Sequence, residues 1–141
     1  MEKIIVGFGE VEKMVGEFVE DNREFLEKID FVVGMSRGGL VPAALLAARI
    51  DKPLVAAYIN KNDVIFFDRA KWINDKNILA VDDVIRSGKT LWLLKNHLQK
   101  YCQPKNISFL ALYRVKSLQN ENYRIQSFAW EINEDVVFPW D

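Results

Sequence analysis

The stretch AVDDVIRSGKT, residues 80–90, changes character three times over a short length. It closes the apolar run 78–81, continues with Asp82 and Asp83, and ends in glycine, lysine and threonine. Residues 90–101, which follow, have helical spacing. The stretch therefore predicts a strand, a polar loop and a helix in succession, the repeating unit of α/β folds.

The same alternation appears on both sides of this stretch. Three further apolar runs predict strands, at residues 31–35, 53–59 and 107–113. Residues 11–29, before the first of these runs, predict an amphipathic helix, and residues 41–50, after it, predict a second helix. Residues 60–76 predict a hairpin or an excursion, and residues 128–140 alternate only loosely. We therefore expect an α/β fold with a parallel, Rossmann-like sheet flanked by helices.

Length and charge exclude several classes of protein. A chain of 141 residues is the size of one domain, which we assign to residues 1–141. The net charge of -1 does not indicate the excess of positive charge that is typical of proteins that bind nucleic acid or an anionic membrane. No apolar run has the length of a membrane span, and no signal peptide is visible. Cys102 is the only cysteine, so we expect a reducing, cytoplasmic setting.

The sequence Ser87-Gly88-Lys89-Thr90 has the composition of an anion-binding turn. A glycine turn at the start of a helix points backbone N–H groups outward at the positive end of the helix dipole. The two hydroxyls add donors, which suits a phosphate monoester, although the tetrapeptide also fits a simple helix N-cap. A nucleotide P-loop needs glycine five positions before Gly88, and that position is Asp83. The P-loop reading is therefore rejected.

Two more features point to a sugar phosphate. Asp82 and Asp83 at a strand end would accept hydrogen bonds from a diol or help to hold Mg²⁺. The stretch Ser36–Gly39 offers two adjacent glycines and an arginine fork suited to phosphate oxygens, although it also fits a tight turn. Both loops follow predicted strands, so we expect them to open on the same edge of the sheet. This arrangement favours a ligand that carries phosphate at both ends.

At these residues the sequence resembles the type I phosphoribosyltransferases. AVDDVIRSGKT is similar to the loop with which that family binds 5-phospho-α-D-ribosyl 1-pyrophosphate (PRPP). MSRGGLVPAALLA, residues 35–47, resembles the pyrophosphate loop of its xanthine, guanine and hypoxanthine enzymes, and VVFPWD, residues 136–141, resembles their base-binding tail. The resemblance implies the fold of that family, with a small hood or C-terminal base-binding segment.

The resemblance implies a role for each matching residue. Asp82, Asp83 and Arg37 would be catalytic, the two acids holding the ribose hydroxyls directly or through the cofactor Mg²⁺. The phosphates of PRPP would be bound by Ser36, Arg37, Gly38, Gly39, Asp82, Asp83, Arg86, Ser87, Gly88, Lys89 and Thr90. The base would contact Arg114 or Lys116, between which spacing does not decide, and the segment around Val137 and Phe138. Residues 60–72 would close over the reactants.

Two positions depart from the pattern of the purine enzymes. Arg86 stands where they usually carry an aspartate that manages the proton on purine N7, and arginine cannot act as a general base. Asp135 stands where an aromatic residue usually stacks on the base. Arg86 would then contact a phosphate or an anionic base instead.

These observations favour transfer of a phosphoribosyl group from PRPP to a 6-oxopurine, with release of pyrophosphate. Two alternatives stay open: a PRPP-binding regulatory protein without turnover, and a transferase for another base. The expected partners are PRPP and a purine base, with no nucleic acid and no membrane, and the resemblance implies a homo-oligomer, either a dimer or a tetramer.

Overall fold

The computed structural model describes residues 1–66 and 70–141, and its elements alternate along the chain. The strands are β1 (Lys3–Ile5), β2 (Phe31–Met35), β3 (Leu54–Asn60), β4 (Asp63–Phe66), β5 (Asn77–Ile85), β6 (Asn106–Val115), β7 (Phe128–Ile132) and β8 (Asp135–Val137). The helices are α1 (Phe8–Asp21), α2 (Arg23–Glu27), α3 (Leu40–Ile50) and α4 (Lys89–His97). A π-helical turn, Leu98–Cys102, extends α4, and 3-10 turns lie at Ala70–Ile73, Lys116–Leu118 and Glu121–Tyr123.

The main sheet has the strand order β4-β3-β2-β5-β6-β7. Its neighbouring strands are parallel except for the antiparallel hairpin of β3 and β4. Helix α3 connects β2 to β3, and α4 connects β5 to β6. The predicted α/β fold with a mainly parallel sheet and flanking helices is confirmed.

Alternate residues of the central strands enter two separate cores. Val32 and Leu79 face α1 and α3, whereas Val33 and Ile78 face α4. β2 is buried throughout its length. A strand that is buried on both faces needs nonpolar residues at successive positions and not only at alternate ones. This is why the central strands appear in the sequence as continuous apolar runs.

The N-terminal helical segment is divided, which differs from the single helix that the spacing predicts. Asn22 separates α1 from α2, with φ -133° and ψ 31° outside the helical range. Its side-chain amide donates to the Phe18 carbonyl at 2.9 Å and so replaces a helical hydrogen bond. Both parts still bury apolar residues against the sheet, because helical spacing resumes after the break.

The two ends of the chain meet in a second, small sheet. β1 pairs in parallel with β8, with Ile4 opposite Val136. The sequence did not indicate these strands, because each has three residues and the pair joins opposite ends of the chain. The pairing fixes the C-terminal segment beside the carboxyl end of the main sheet. No helix within residues 1–66 and 70–141 is long and apolar enough to cross a membrane.

Candidate active site at the carboxyl edge of the sheet

β5 extends beyond its neighbour β2, and this offset creates the site. The last paired residue of β2 along this edge is Gly34, opposite Val81. β5 continues to Ile85 along β6, with Asp82 opposite Ala111. The sequence had indicated that the acids lie in the loop after the strand, whereas the structure places both of them within β5. The side of the acids that faces β2 has no paired residue of that strand, and the loop of residues 36–39 covers it.

That loop packs directly on the acids. A Cβ atom on Gly38 would overlap the Asp83 carboxylate, and one on Gly39 would lie 2.9 Å from Asp82 Cα. The Gly39 N–H donates to the Met35 carbonyl at 2.7 Å, which turns the chain tightly into α3. The peptide bond between Ser36 and Arg37 is cis. The two predicted loops thus open on the same edge and touch each other.

Both oxygens of Asp83 are engaged by the protein. Asp83 is 9% exposed; its Oδ1 accepts from the Val84 N–H at 2.7 Å and its Oδ2 from the Trp140 indole N–H at 2.9 Å. Asp82 is half-buried, and its Oδ1 accepts from the Asp83 N–H at 2.8 Å. Burial, followed by the charge of Asp83, raises the pKa of Asp82 well above its usual value. The pair therefore carries an electrostatic cost that a bound cation would relieve.

The predicted phosphate cradle surrounds a cavity of about 210 Å³ lined by residues 82 and 84–91. Gly88 has φ 94°, which only glycine adopts without strain, and a Cβ atom there would overlap the Tyr123 carbonyl. The Ser87 hydroxyl accepts from the Lys89 N–H at 3.2 Å, and α4 begins at Lys89. Thr90 is exposed. Glycine, hydroxyls and a helix N-terminus therefore converge on one small concave surface.

Arg37 contributes an exposed positive charge to the loop that contacts the acid pair. No hydrogen bond or ion pair with another residue of the described chain engages its side chain. Arg37 directly precedes Gly38, the residue that contacts Asp83. The carboxyl edge of the sheet thus carries Arg37, then the carboxylates of Asp82 and Asp83, and then the cavity lined by residues 82 and 84–91.

Comparisons with known proteins agree with this geometry. Residues 8–141 match the family model described as the phosphoribosyl transferase domain. The chain belongs to this family. It is therefore an enzyme of the pentosyltransferase class.

Individual relatives cover most of the chain. It is 30% identical over 122 residues to a xanthine-guanine phosphoribosyltransferase of Cereibacter sphaeroides, covering 78% of this chain and 68% of the relative. The crystal structure of a purine phosphoribosyltransferase from Pyrococcus horikoshii superposes with a TM-score of 0.82 at 26% identity, over 100% of this chain and 95% of that one. The Helicobacter pylori xanthine-guanine-hypoxanthine enzyme has a TM-score of 0.76 at 20% identity, over 99% and 92% of the two chains.

In this phosphoribosyltransferase the two residues that depart from the purine pattern form an ion pair. Arg86 Nε donates to Asp135 Oδ1 at 2.9 Å, and the same oxygen accepts from the Val136 N–H at 2.9 Å. Burial of Asp135 acts to raise its pKa, but the Val136 N–H and Arg86 outweigh it, so the pKa is lowered. The start of the cradle loop, directly after β5, is thereby attached to β8.

The four residues predicted to bind the base have different surroundings. Arg114 donates to the Ile125 carbonyl at 2.9 Å and to the Ser127 hydroxyl at 2.7 Å, so its guanidinium holds the segment before β7. Lys116 is exposed, with its Nζ 3.8 Å from Glu131 Oε2. The remaining two lie in the C-terminal segment: Val137 at the end of β8 and Phe138, which is buried.

The Val137 carbonyl accepts from the Val6 N–H at 2.9 Å. Phe138 stacks on Trp140 with ring centroids 4.8 Å apart and an interplanar angle of 7°. Both residues are thus fixed by the protein itself.

The acid pair fits a magnesium ion shared with a substrate. No group of three or more Asp, Glu, His or Cys side chains within the described part of the chain has the arrangement of a metal site. Mg²⁺ commonly takes one or two carboxylates and completes its shell with water and substrate oxygens. Asp82 and Asp83 match that donor set, and the pKa of Asp82 is raised first by burial and then by the negative charge of Asp83, which a cation would offset.

Two features of the site were not predicted from the sequence. Trp140 contacts Asp83 from a position 57 residues later in the chain. Tyr123 supplies the carbonyl beside Gly88, and its ring packs 5.2 Å from Trp92. The tail motif had drawn attention to residue 140, but no pattern links it to an acid. Of the predicted closing segment 60–72, residues 67–69 lie outside the described residues.

Neutralising the two acids should change stability in opposite directions. In the ligand-free protein at neutral pH, Asp82→Asn should raise the melting temperature, because the fold raises the pKa of this carboxyl and so disfavours its ionised form, a cost that a neutral amide does not carry. The gain should shrink as the pH falls, where wild-type Asp82 is already protonated. Asp83→Asn should cost about 1–3 kcal/mol, because an amide cannot accept both N–H bonds. Melting curves between pH 4 and 8 without Mg²⁺ test both, and equal destabilisation by both would contradict the assignment.

Adding a single methyl group at position 38 should disrupt the site. The Cβ of Gly38→Ala would overlap the Asp83 carboxylate, so the variant should lose about 1–3 kcal/mol and move the acid. Gly9→Ala is the matched control, since nothing lies within 4 Å of a Cβ there. Calorimetry with Mg·PRPP should show weakened binding for the first variant and wild-type binding for the second. Unchanged binding by Gly38→Ala would refute the contact.

Proposed function

We propose that the chain is a purine phosphoribosyltransferase that transfers the 5-phosphoribosyl group of PRPP to a 6-oxopurine and releases pyrophosphate. The observation that carries the proposal is the contact between Gly38–Gly39 and Asp82–Asp83. It supports the proposal because residues 36–39, which we propose bind pyrophosphate, contact two acids that are followed directly by residues 86–90, which we propose bind the 5-phosphate. A sugar phosphorylated at both ends fits that order.

Each part of the edge has a task in the proposed reaction. Asp82 and Asp83 hold the ribose hydroxyls, with Mg²⁺ as the bound cofactor that neutralises phosphate charge. Residues 86–90 hold the 5-phosphate through backbone amides and hydroxyls. Arg37, with the loop amides, binds the pyrophosphate. Since charge develops on the leaving pyrophosphate, a free guanidinium at that end lowers the barrier.

The identity of the base rests on the relatives, which are named as xanthine-guanine or purine enzymes. Lys116 is a stronger candidate than Arg114 for contact with an exocyclic oxygen. The Arg114 guanidinium is already bonded to Ile125 and Ser127, whereas the Lys116 ammonium has only a long contact with Glu131. We propose that Val137 and Phe138 form the wall of the base pocket, and that the enzyme acts as a homo-oligomer in the cytoplasm.

Turnover provides the direct test. Purified protein is incubated with PRPP, Mg²⁺ and, separately, xanthine, guanine, hypoxanthine and uracil, and nucleotide is measured by chromatography. At least one 6-oxopurine should give product and uracil none. Product from uracil alone would identify a different base, and tight Mg·PRPP binding without any product would identify a binding protein.

Arg37 variants test the proposed leaving-group contact. Arg37→Ala should lower kcat by about 10²–10³, the usual loss for a group that stabilises transition-state charge. Arg37→Lys should recover little of it, because lysine lacks the two-pronged geometry. Arg49→Ala, at an exposed arginine near the end of α3, is the control and should behave as wild type. A wild-type kcat for Arg37→Ala would remove Arg37 from the mechanism.

A further inference from the structure

The C-terminal segment reaches into the sugar-binding site through one side chain. The Trp140 indole N–H donates to Asp83 Oδ2 at 2.9 Å. The other oxygen of the same carboxylate accepts from the Val84 N–H at 2.7 Å, and the Gly38 backbone packs against the carboxylate as well. Asp83 is therefore held in one orientation by its own strand, by the neighbouring loop and by the tail.

Trp140 is itself fixed in place. Its ring is stacked on Phe138, which is 3% exposed, and lies 6.3 Å from the ring of Phe8. The Phe138 N–H donates to Asp141 Oδ2 at 2.8 Å, and the Asp141 N–H returns a bond to the Phe138 carbonyl at 3.1 Å. This closed turn leaves the indole little freedom. The hydrogen bond to Asp83 is thus made by a rigid donor.

An indole has a chemical advantage at this position. It donates a single hydrogen bond and carries no charge. A lysine or arginine here would orient Asp83 equally well, but its positive charge would compete with Mg²⁺ and repel it. The indole orients the carboxylate and leaves its negative charge available.

We propose that Trp140 is a positioning residue for Asp83 and that it couples the base pocket to the PRPP site. The inference rests on the proposed function, because the coupling requires that the segment of Val137 and Phe138 line the base pocket. A base bound against this segment then restricts the stacked pair of Phe138 and Trp140 that aligns Asp83. Because such coupling is reciprocal, bound base strengthens PRPP binding by the same factor as bound PRPP strengthens base binding.

The test removes the indole N–H and keeps the aromatic stack. Trp140→Phe should raise the Kd of Mg·PRPP roughly 10- to 100-fold, the usual effect of losing a hydrogen bond to a charged group. Trp130→Phe, the same exchange in β7, is the control and should bind as wild type. Calorimetry is then repeated with saturating 9-deazaguanine, which has carbon in place of the attacking nitrogen and does not react. The tightening it produces in wild type should be largely lost in Trp140→Phe.

A double-mutant cycle separates positioning from general packing. Trp140→Phe should have little further effect on Mg·PRPP binding in an Asp83→Ala background, because alanine has no carboxylate for the indole to orient. If Trp140→Phe does not fold, β-(3-benzothienyl)alanine at position 140 keeps the shape of indole and replaces its N–H with sulfur. A lower melting temperature with unchanged Mg·PRPP affinity and unchanged coupling would overturn the proposal. Failure of the wild type to bind Mg·PRPP would instead overturn the proposed function.

Discussion

The contact between the Gly38–Gly39 backbone and the Asp82–Asp83 backbone and carboxylate is the constraint on which the rest of the site depends. It exists because β5 continues past the end of β2 and leaves one side of the acids uncovered. A backbone without side chains is the only covering that fits this gap, since a Cβ atom on either glycine would overlap the acids or their strand. Arg37 and the start of α3 are placed by the same turn, so the position of the cation follows from the packing of the glycines.

This arrangement brings two carboxylates together, and the positive charge of Arg86 offsets only part of the resulting cost. Burial and the charge of Asp83 raise the pKa of Asp82, so the ligand-free fold carries a cost that protein hydrogen bonds only partly offset. Such strain at a binding site is compatible with a stable domain because the two cores on either side of the sheet are extensive. The same cost favours a ligand that brings Mg²⁺, because the cation would offset the charge of the two carboxylates.

The sequence predicted the central elements because their cause is local. Apolar runs such as 31–35 and 78–81 follow from burial on both faces of a parallel sheet, and glycine-containing turns after them mark the binding edge. It did not predict β1, β8 or the bond from Trp140 to Asp83, because these join residues far apart in the chain through single contacts. Arg114 illustrates the same limit: its place directly after the apolar run 107–113 was evident, but the Ile125 and Ser127 partners that engage it were not.

The two residues that depart from the purine pattern, Arg86 and Asp135, contact each other in the structure. Arginine at position 86 and aspartate at position 135 each appear anomalous in the sequence, yet Arg86 Nε lies 2.9 Å from Asp135 Oδ1. An aspartate at 86 would face the carboxylate of Asp135, and an aromatic residue at 135 would leave Arg86 without its carboxylate acceptor. One electrostatic contact therefore joins the two positions at which the sequence departs from the pattern it resembles. β8 is held by β1 on one side and by Arg86 on the other, so the cradle loop and the C-terminal segment are directly attached. The bond from Trp140 to Asp83 is a second attachment between the same two parts of the chain.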